Sequence, residues 1–239
     1  GDKRFPMQSV YKFPIAMVML NQIDKGKYSL DDSIWVSKSE YIPTAGHSPL
    51  RDQHPDGAYL SIEQILDYNT SKSDGTACDV LLRLLGGTEG AQRHIMNWGV
   101  DSMEIATTEM VQVAFDTIQY RNWSTPNAMS ELFKLFHEET YLTQESTSLL
   151  RKLLSISNPW FDRRIKGLLP KSIQVVHKTG SSRTYEGLTR ATNDAGIVTL
   201  PDGSHVIISV FISDSYNSQD EREQAIARAA KAAYDHWNK

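Results

Sequence analysis

The chain has 239 residues with 25 Lys and Arg against 29 Asp and Glu, a net charge of −4, and no dense basic run, so nucleic acid is excluded as a partner. Hydrophobic content of 40% and charged content of 23% describe a globular protein with ample core, and the longest apolar stretch, "FPIAMVML", is too short to span a bilayer. The single cysteine, Cys78, can form no internal disulfide and, without a Cys/His cluster, no zinc site.

In chain order, apolar residues at i, i+3, i+4 spacing predict helices from Ser9 to about Leu154. "SVYKFPIAMVMLNQIDKG" ends at a glycine, "SIEQILDYNTSK" opens on a Ser-x-Glu start, and "CDVLLRLLGG", with Cys78 as a buried structural thiol, stops at paired glycines. "TEGAQRHIMNWG", "NAMSELFKLFHEET" and "TQESTSLLRKLLSI" continue the pattern. Beyond about Pro159 the β-branched runs "QVVHKTG", "NDAGIVTL" and "SHVIISVFIS" predict strands, the last two joined by the turn "PDG". "DEREQAIARAAKAAYDHW" predicts a final helix with acids in its first turn. This order predicts an α+β fold: a helical unit over 9–156, and an antiparallel meander with a covering helix built from 1–8 and 157–239. A cleft between the two zones is the expected ligand site. No secretion signal precedes Gly1, which leaves open both a cytosolic chain and an exported one whose signal has been removed.

Three short motifs carry chemistry. In "FPMQSVYKF", Ser9 and Lys12 stand three apart on a predicted helix, close enough for the amine to meet the hydroxyl. In "TSKSDGTACD", Ser73, Asp74 and Gly75 stand directly ahead of a helix. In "VVHKTGSS", Lys178, Thr179, Gly180 and Ser181 end a strand, where Gly180 would let a ligand approach the backbone and Lys178 and Ser181 would offer a cation and donors to an anion. Each also has an ordinary reading: Ser9 as a helix cap, S-D-G as a turn and cap, K-T-G as a strand followed by a turn.

Ser-x-x-Lys, Ser-Asp-x and Lys-Thr-Gly in this order are the motif set of the penicillin-recognising serine enzymes. Along essentially its whole length the chain resembles the class A serine β-lactamases, and within them the PER-type extended-spectrum branch, on "FPMQSVYK", "SKSDGTACDVLLRLLGG", "IKGLLP", "HKTGSS" and "ATNDAGIVTLPDG". The resemblance implies the serine β-lactamase and penicillin-binding-protein-like fold, and an omega loop at about 106–126 in which Glu109 of "TTEMVQVAFDTIQYRNWSTP" activates the deacylating water. It implies Ser9 as the acylated nucleophile with Lys12 a proton acceptor beside it. Ser73 then passes a proton to the leaving nitrogen, and Lys178 polarises Ser73 and attracts the substrate carboxylate. Ser181 adds an oxyanion N–H, and Arg164 of "DRRIKGLLP" stands behind Lys178; a plain surface arginine is its other reading. His47 of "AGHSPL" is expected at the rim, or simply on the surface.

Four departures from the family pattern stand out. Gly75 replaces an asparagine that bonds the lysine beside the nucleophile and the substrate's side-chain amide, so weaker anchoring is expected and Gly75→Asn is expected to help. Val113 replaces the asparagine that holds the hydrolytic water, with Gln112 adjacent as a substitute. Thr107 and Asn122 replace an Arg/Asp ion pair, implying an atypical loop. Only eight residues precede Ser9, where the family has a helix and two strands completing a five-strand sheet, so either that segment lies outside the sequence or strand edges are left unpaired. The resemblance further implies β-lactam antibiotics as substrates, no cofactor, no metal, a monomer, and export to a bacterial periplasm. A non-hydrolytic β-lactam sensor and a cell-wall transpeptidase or carboxypeptidase remain as alternatives, both disfavoured by Glu109.

Overall fold

The computed structural model describes residues 1–114, 116–156 and 160–239. In chain order its strands are β1 (Phe5–Pro6), β2 (Ser33–Val36), β3 (Ala58–Ser61), β4 (Met103–Glu104), β5 (Trp123–Ser124), β6 (Val175–Ser181), β7 (Thr184–Tyr185), β8 (Leu188–Thr189), β9 (Thr192–Thr199) and β10 (His205–Ile212). The helices are α1 (Lys12–Asp24), α2 (Pro49–Gln53), α3 (Ile62–Thr70), α4 (Gly75–Leu84), α5 (Gly87–Asn97), α6 (Glu109–Ala114), α7 (Pro126–His137), α8 (Gln144–Leu154) and α9 (Gln219–Trp237). The predicted meander is present as an antiparallel sheet in the order β10-β9-β6.

Successive side chains of a strand point to opposite faces, and this sheet uses both. Val176, Ala195, Ile197 and Phe211 join the large core shared with α1, α3, α4 and α7. Their neighbours Val175, Val198 and Ile208 pack with Ile226, Ala230 and Tyr234 of α9. Both faces are therefore covered, and every residue of β6 but Ser181 and of β9 but Thr199 is buried.

The helix α1 is apolar on every side and buried from Lys12 to Gln22, as a central helix must be. Pro14 falls in its first turn, where a missing N–H breaks no bond, and Phe13 stacks on Phe133 of α7 at 4.0 Å. The start predicted at Ser9 is displaced: Gln8–Tyr11 form a 3₁₀ turn, and neither it nor α1 has a side-chain cap. Ser61 does cap α3, but its capping-box partner is Gln64 rather than Glu63. The hairpin β2–β3, running from Ser33↔Ser61 to Val36↔Ala58, lies inside the zone expected to be helical. Among the described residues, no helix is long and apolar enough to cross a membrane.

Candidate active site

The turn that carries Ser9 is pinned from three sides. Met7 N donates to Asn122 O at 2.9 Å, and Asn193 Nδ2 of β9 donates to Pro6 O (2.8 Å) and Met7 O (3.1 Å). On the third side β6 comes so close that a Cβ on Gly180 would collide with the Met7 carbonyl and stand 3.1 Å from Ser9 N. At Gly180 the chain's own backbone thus makes a close approach that a side chain would forbid. Gln8, directly before Ser9, has φ 47°, a left-handed conformation that non-glycine residues adopt at a cost and that clusters at functional sites.

Ser9 caps no helix; its Oγ accepts from Lys12 Nζ at 2.9 Å. The same ammonium pairs with Glu109 Oε1, and Lys12 is 1% exposed. Burial opposes its charge, but Glu109 more than offsets burial and raises its pKa. Resting Lys12 is therefore an ammonium, able to accept the serine proton only after giving up one of its own.

The first turn of α6 holds Glu109. Its backbone N–H and that of Met110 donate to the two carboxylate oxygens of Asp79, at 2.7 and 2.8 Å. Burial raises the Asp79 pKa to about 7. The atypical loop has a local explanation. Asn122 Oδ1 accepts from Ala106 N (2.8 Å) and Thr107 N (2.9 Å), while its Nδ2 donates to Thr107 O (2.8 Å). One neutral side-chain amide does this fastening, with no charge involved. Gln112, one turn after Glu109, donates through Nε2 to Tyr11 Oη at 3.2 Å, and its buried Oε1 has no hydrogen-bond partner.

The opposite wall is built from Ser73 and Lys178. Asp74 is the residue that caps α4, accepting from Ala77 N at 2.8 Å and also from Leu50 N at 2.7 Å. Ser73 is left free of capping, with φ 56°, and accepts from Lys178 Nζ at 2.9 Å. Lys178 is 3% exposed; burial, helped by the Lys12 charge, lowers its pKa to about 7. Thr179 is buried opposite Asp194, while Ser181, at the end of β6, is exposed. Arg164 is buried rather than on the surface. Its guanidinium donates to Gly180 O (3.1 Å), Asn193 O (2.7 Å) and Ser181 Oγ (2.5 Å), and pairs with Glu223 at 3.3 Å. It thus ties the last two residues of β6 to β9 and to α9. His47 is an exposed rim residue whose Nε2 lies 2.9 Å from Lys72 O. One cleft is bordered by Ser9, Lys12, Ser73, Glu109, Ser181 and His47.

Gly75 has less room than its lack of a side chain suggests. A Cβ there would stand 2.5 Å from Ile42 Cδ1 and 3.2 Å from Glu109 Oε2, so the benefit expected from asparagine is blocked unless Ile42 gives way.

The sequence matches the profile of the beta-lactamase enzyme family over residues 1–237. The chain belongs to that family. Over 99% of this chain and 79% of the relative it is 38% identical to beta-lactamase VEB-1 of Pseudomonas aeruginosa. Over 97% and 75% it is 36% identical to the extended-spectrum beta-lactamase PER-1 of the same organism. The crystal structure of a beta-lactamase from Chitinophaga pinensis superposes with a TM-score of 0.95 at 44% identity, covering 99% of this chain and 87% of that one. The chain is a class A β-lactamase, a hydrolase, and its fold is theirs.

Asp79, Asn193 and Ile42 went unread in the sequence. Asp79 left a signal, a lone acid inside the apolar run "ACDVLLRLL"; Asn193 and Ile42 left none.

Proposed function

We propose that this β-lactamase opens the β-lactam amide of penicillins and cephalosporins by acylating Ser9, and that water activated by Glu109 removes the acyl group. The observation that carries the reading is the chain Ser9–Lys12–Glu109, faced across one cleft by Ser73–Lys178.

In acylation Ser9 Oγ bonds to the lactam carbonyl carbon and the carbon–nitrogen bond breaks. The serine proton passes to Glu109, directly or through Lys12 once that ammonium has given its proton to the carboxylate, and Lys12 donates to Oγ as negative charge develops there. The departing nitrogen takes a proton from Ser73, which Lys178 resupplies across the 2.9 Å contact. The N–H groups of Ser9 and Ser181 stabilise the oxyanion. Acylation leaves Glu109 protonated and Lys178 neutral, and proton exchange with solvent restores both; in deacylation water then bonds to the ester carbon, Glu109 takes its proton, and Ser9 leaves with that proton as the ester bond breaks. Lys178, Thr179, Gly180 and Ser181 bind the substrate carboxylate, with Arg164 supporting them through the Ser181 hydroxyl, and His47 borders the entrance. A monomer acting in the periplasm completes the reading, on the family resemblance alone.

A chromogenic cephalosporin tests it. Many turnovers per enzyme are expected, abolished in Ser9→Ala together with covalent labelling. A single stoichiometric burst would instead indicate a sensor or transpeptidase.

A further inference from the structure

Two glycines, Gly46 and Gly75, face one isoleucine, with Val113 near the first of them and Glu109 near the second. Ile42 Cδ1 lies 2.5 Å from where a Cβ on Gly75 would be and 2.6 Å from where one on Gly46 would be, and the latter position is 2.7 Å from Val113 Cγ2. Real Cβ atoms do not approach neighbours so closely, so a side chain at either position requires this methyl group to move. Ile42 itself is 1% exposed.

The isoleucine cannot withdraw with its loop. Ile42 N donates to Thr76 Oγ1 at 3.2 Å. Its carbonyl accepts from Arg51 Nη1 at 3.1 Å, and that nitrogen also holds Pro43 O (2.9 Å) and Gly46 O (3.2 Å). Only a change of side-chain rotamer could vacate the place. The consequence reaches the catalytic carboxylate. The blocked position is 3.3 Å from Glu109 Cβ, and the side chains at 42, 75 and 113 offer a ligand no hydrogen-bonding atom.

We propose that Ile42 is a positioning residue that sets substrate specificity: its Cδ1 methyl reserves the place of a side chain at position 75. The wall between His47 and Glu109 then holds substrates by contact alone and makes little distinction between β-lactams that carry a side-chain amide and those that do not. The inference rests on the hydrolase reading given above.

The test is a double-mutant cycle of the parent, Gly75→Asn, Ile42→Val and the double variant, since valine lacks only the obstructing methyl. Specificity constants would be measured on an acylated penicillin and on 6-aminopenicillanic acid, which lacks the amide, together with Tm. Gly75→Asn alone should lower kcat/KM on both substrates and lower Tm. Ile42→Val/Gly75→Asn should exceed Ile42→Val by up to about tenfold on the acylated penicillin, the value of one net hydrogen bond, with little gain on the free amine. It should also recover the Tm that the asparagine alone loses. A Gly75→Asn protein as stable and active as its parent, or a double variant no better than Gly75→Asn on either measure, would overturn the proposal. A parent that fails to turn over the penicillin would overturn the hydrolase reading instead, leaving the Tm coupling to decide the role of Ile42.

Discussion

Lys178 Nζ donates to Ser73 Oγ at 2.9 Å, joining two residues 105 positions apart and closing the wall of the cleft that faces Ser9. Because burial and the nearby Lys12 charge bring the Lys178 pKa to about 7, this cation is present below that pH and fades above it. KM for a substrate bearing a carboxylate should therefore rise as pH climbs from about 6 to 9, by about tenfold or more, as expected for losing a charged hydrogen bond. Lys178→Arg, which keeps its charge, should flatten that rise whatever its absolute activity. A KM that ignores pH in the parent would show that Lys178 does not bind the carboxylate.

Glu109 should matter more for removing the acyl group than for adding it, because the Ser9 ester persists until a base activates water beside it. Glu109→Gln keeps the shape, removes the basicity and takes away the main charge that raises the Lys12 pKa against burial, so that a neutral Lys12 can still accept the serine proton in acylation. Steady turnover should fall by roughly 10²–10⁴-fold, the range for a lost general base, while intact mass shows an accumulated Ser9 adduct. Unchanged turnover without an adduct would remove Glu109 from this role.

Gln112 offers a buried acceptor with no donor, and such a group costs about 1–3 kcal/mol unless water supplies one. If that water is the hydrolytic one, Gln112→Leu should slow deacylation by about tenfold while acylation, read as the burst rate, is spared. Should the variant instead become more stable with deacylation intact, the orphaned oxygen is a packing defect and another group holds the water.

His177 gives a stability signature separate from catalysis. Burial disfavours its charge, but Asp194, 2.9 Å from Nδ1, and Asp162, 3.8 Å from Nε2, more than offset this and raise its pKa to about 9. A raised pKa stabilises the fold fully below the ordinary imidazole value of about 6.5, and that contribution is lost as pH rises through about 9. Lys178 and Asp79 titrate in the same window, so the measure is a difference. The gap in Tm between the parent and His177→Gln should narrow from pH 6 to pH 9. A gap that stays constant would mean that His177 is neutral throughout.

The three short motifs were legible because each is a run whose side chains are placed by local backbone: a turn entering α1, the cap of α4, the end of β6. The sheet and its covering helix were legible for the same reason, since apolar periodicity is written in consecutive residues. What escaped depends on contacts between distant segments. The two-residue strands β1, β4 and β5 exist only through their pairing, and Asp79 acts on backbone about thirty residues away. Ile42 is still harder to read: it carries no polar atom, and its effect is visible only as the space denied to a neighbour. Gly180 was singled out for a close approach, and the visitor the structure shows there is the chain's own turn at Met7 and Ser9.

That visitor makes the enzyme a reporter of its own assembly. The turn carrying Ser9 takes its shape from Gly180 pressed against it and from Asn193 holding two of its carbonyls, and both come from strands near the far end of the chain. A refolding molecule that has built its helices but not yet docked β6 and β9 would present a serine without its oxyanion pocket. In a refolding time course, the fraction of Ser9 that a penicillin can label would therefore lag behind the recovery of helical signal, and would time the arrival of the sheet.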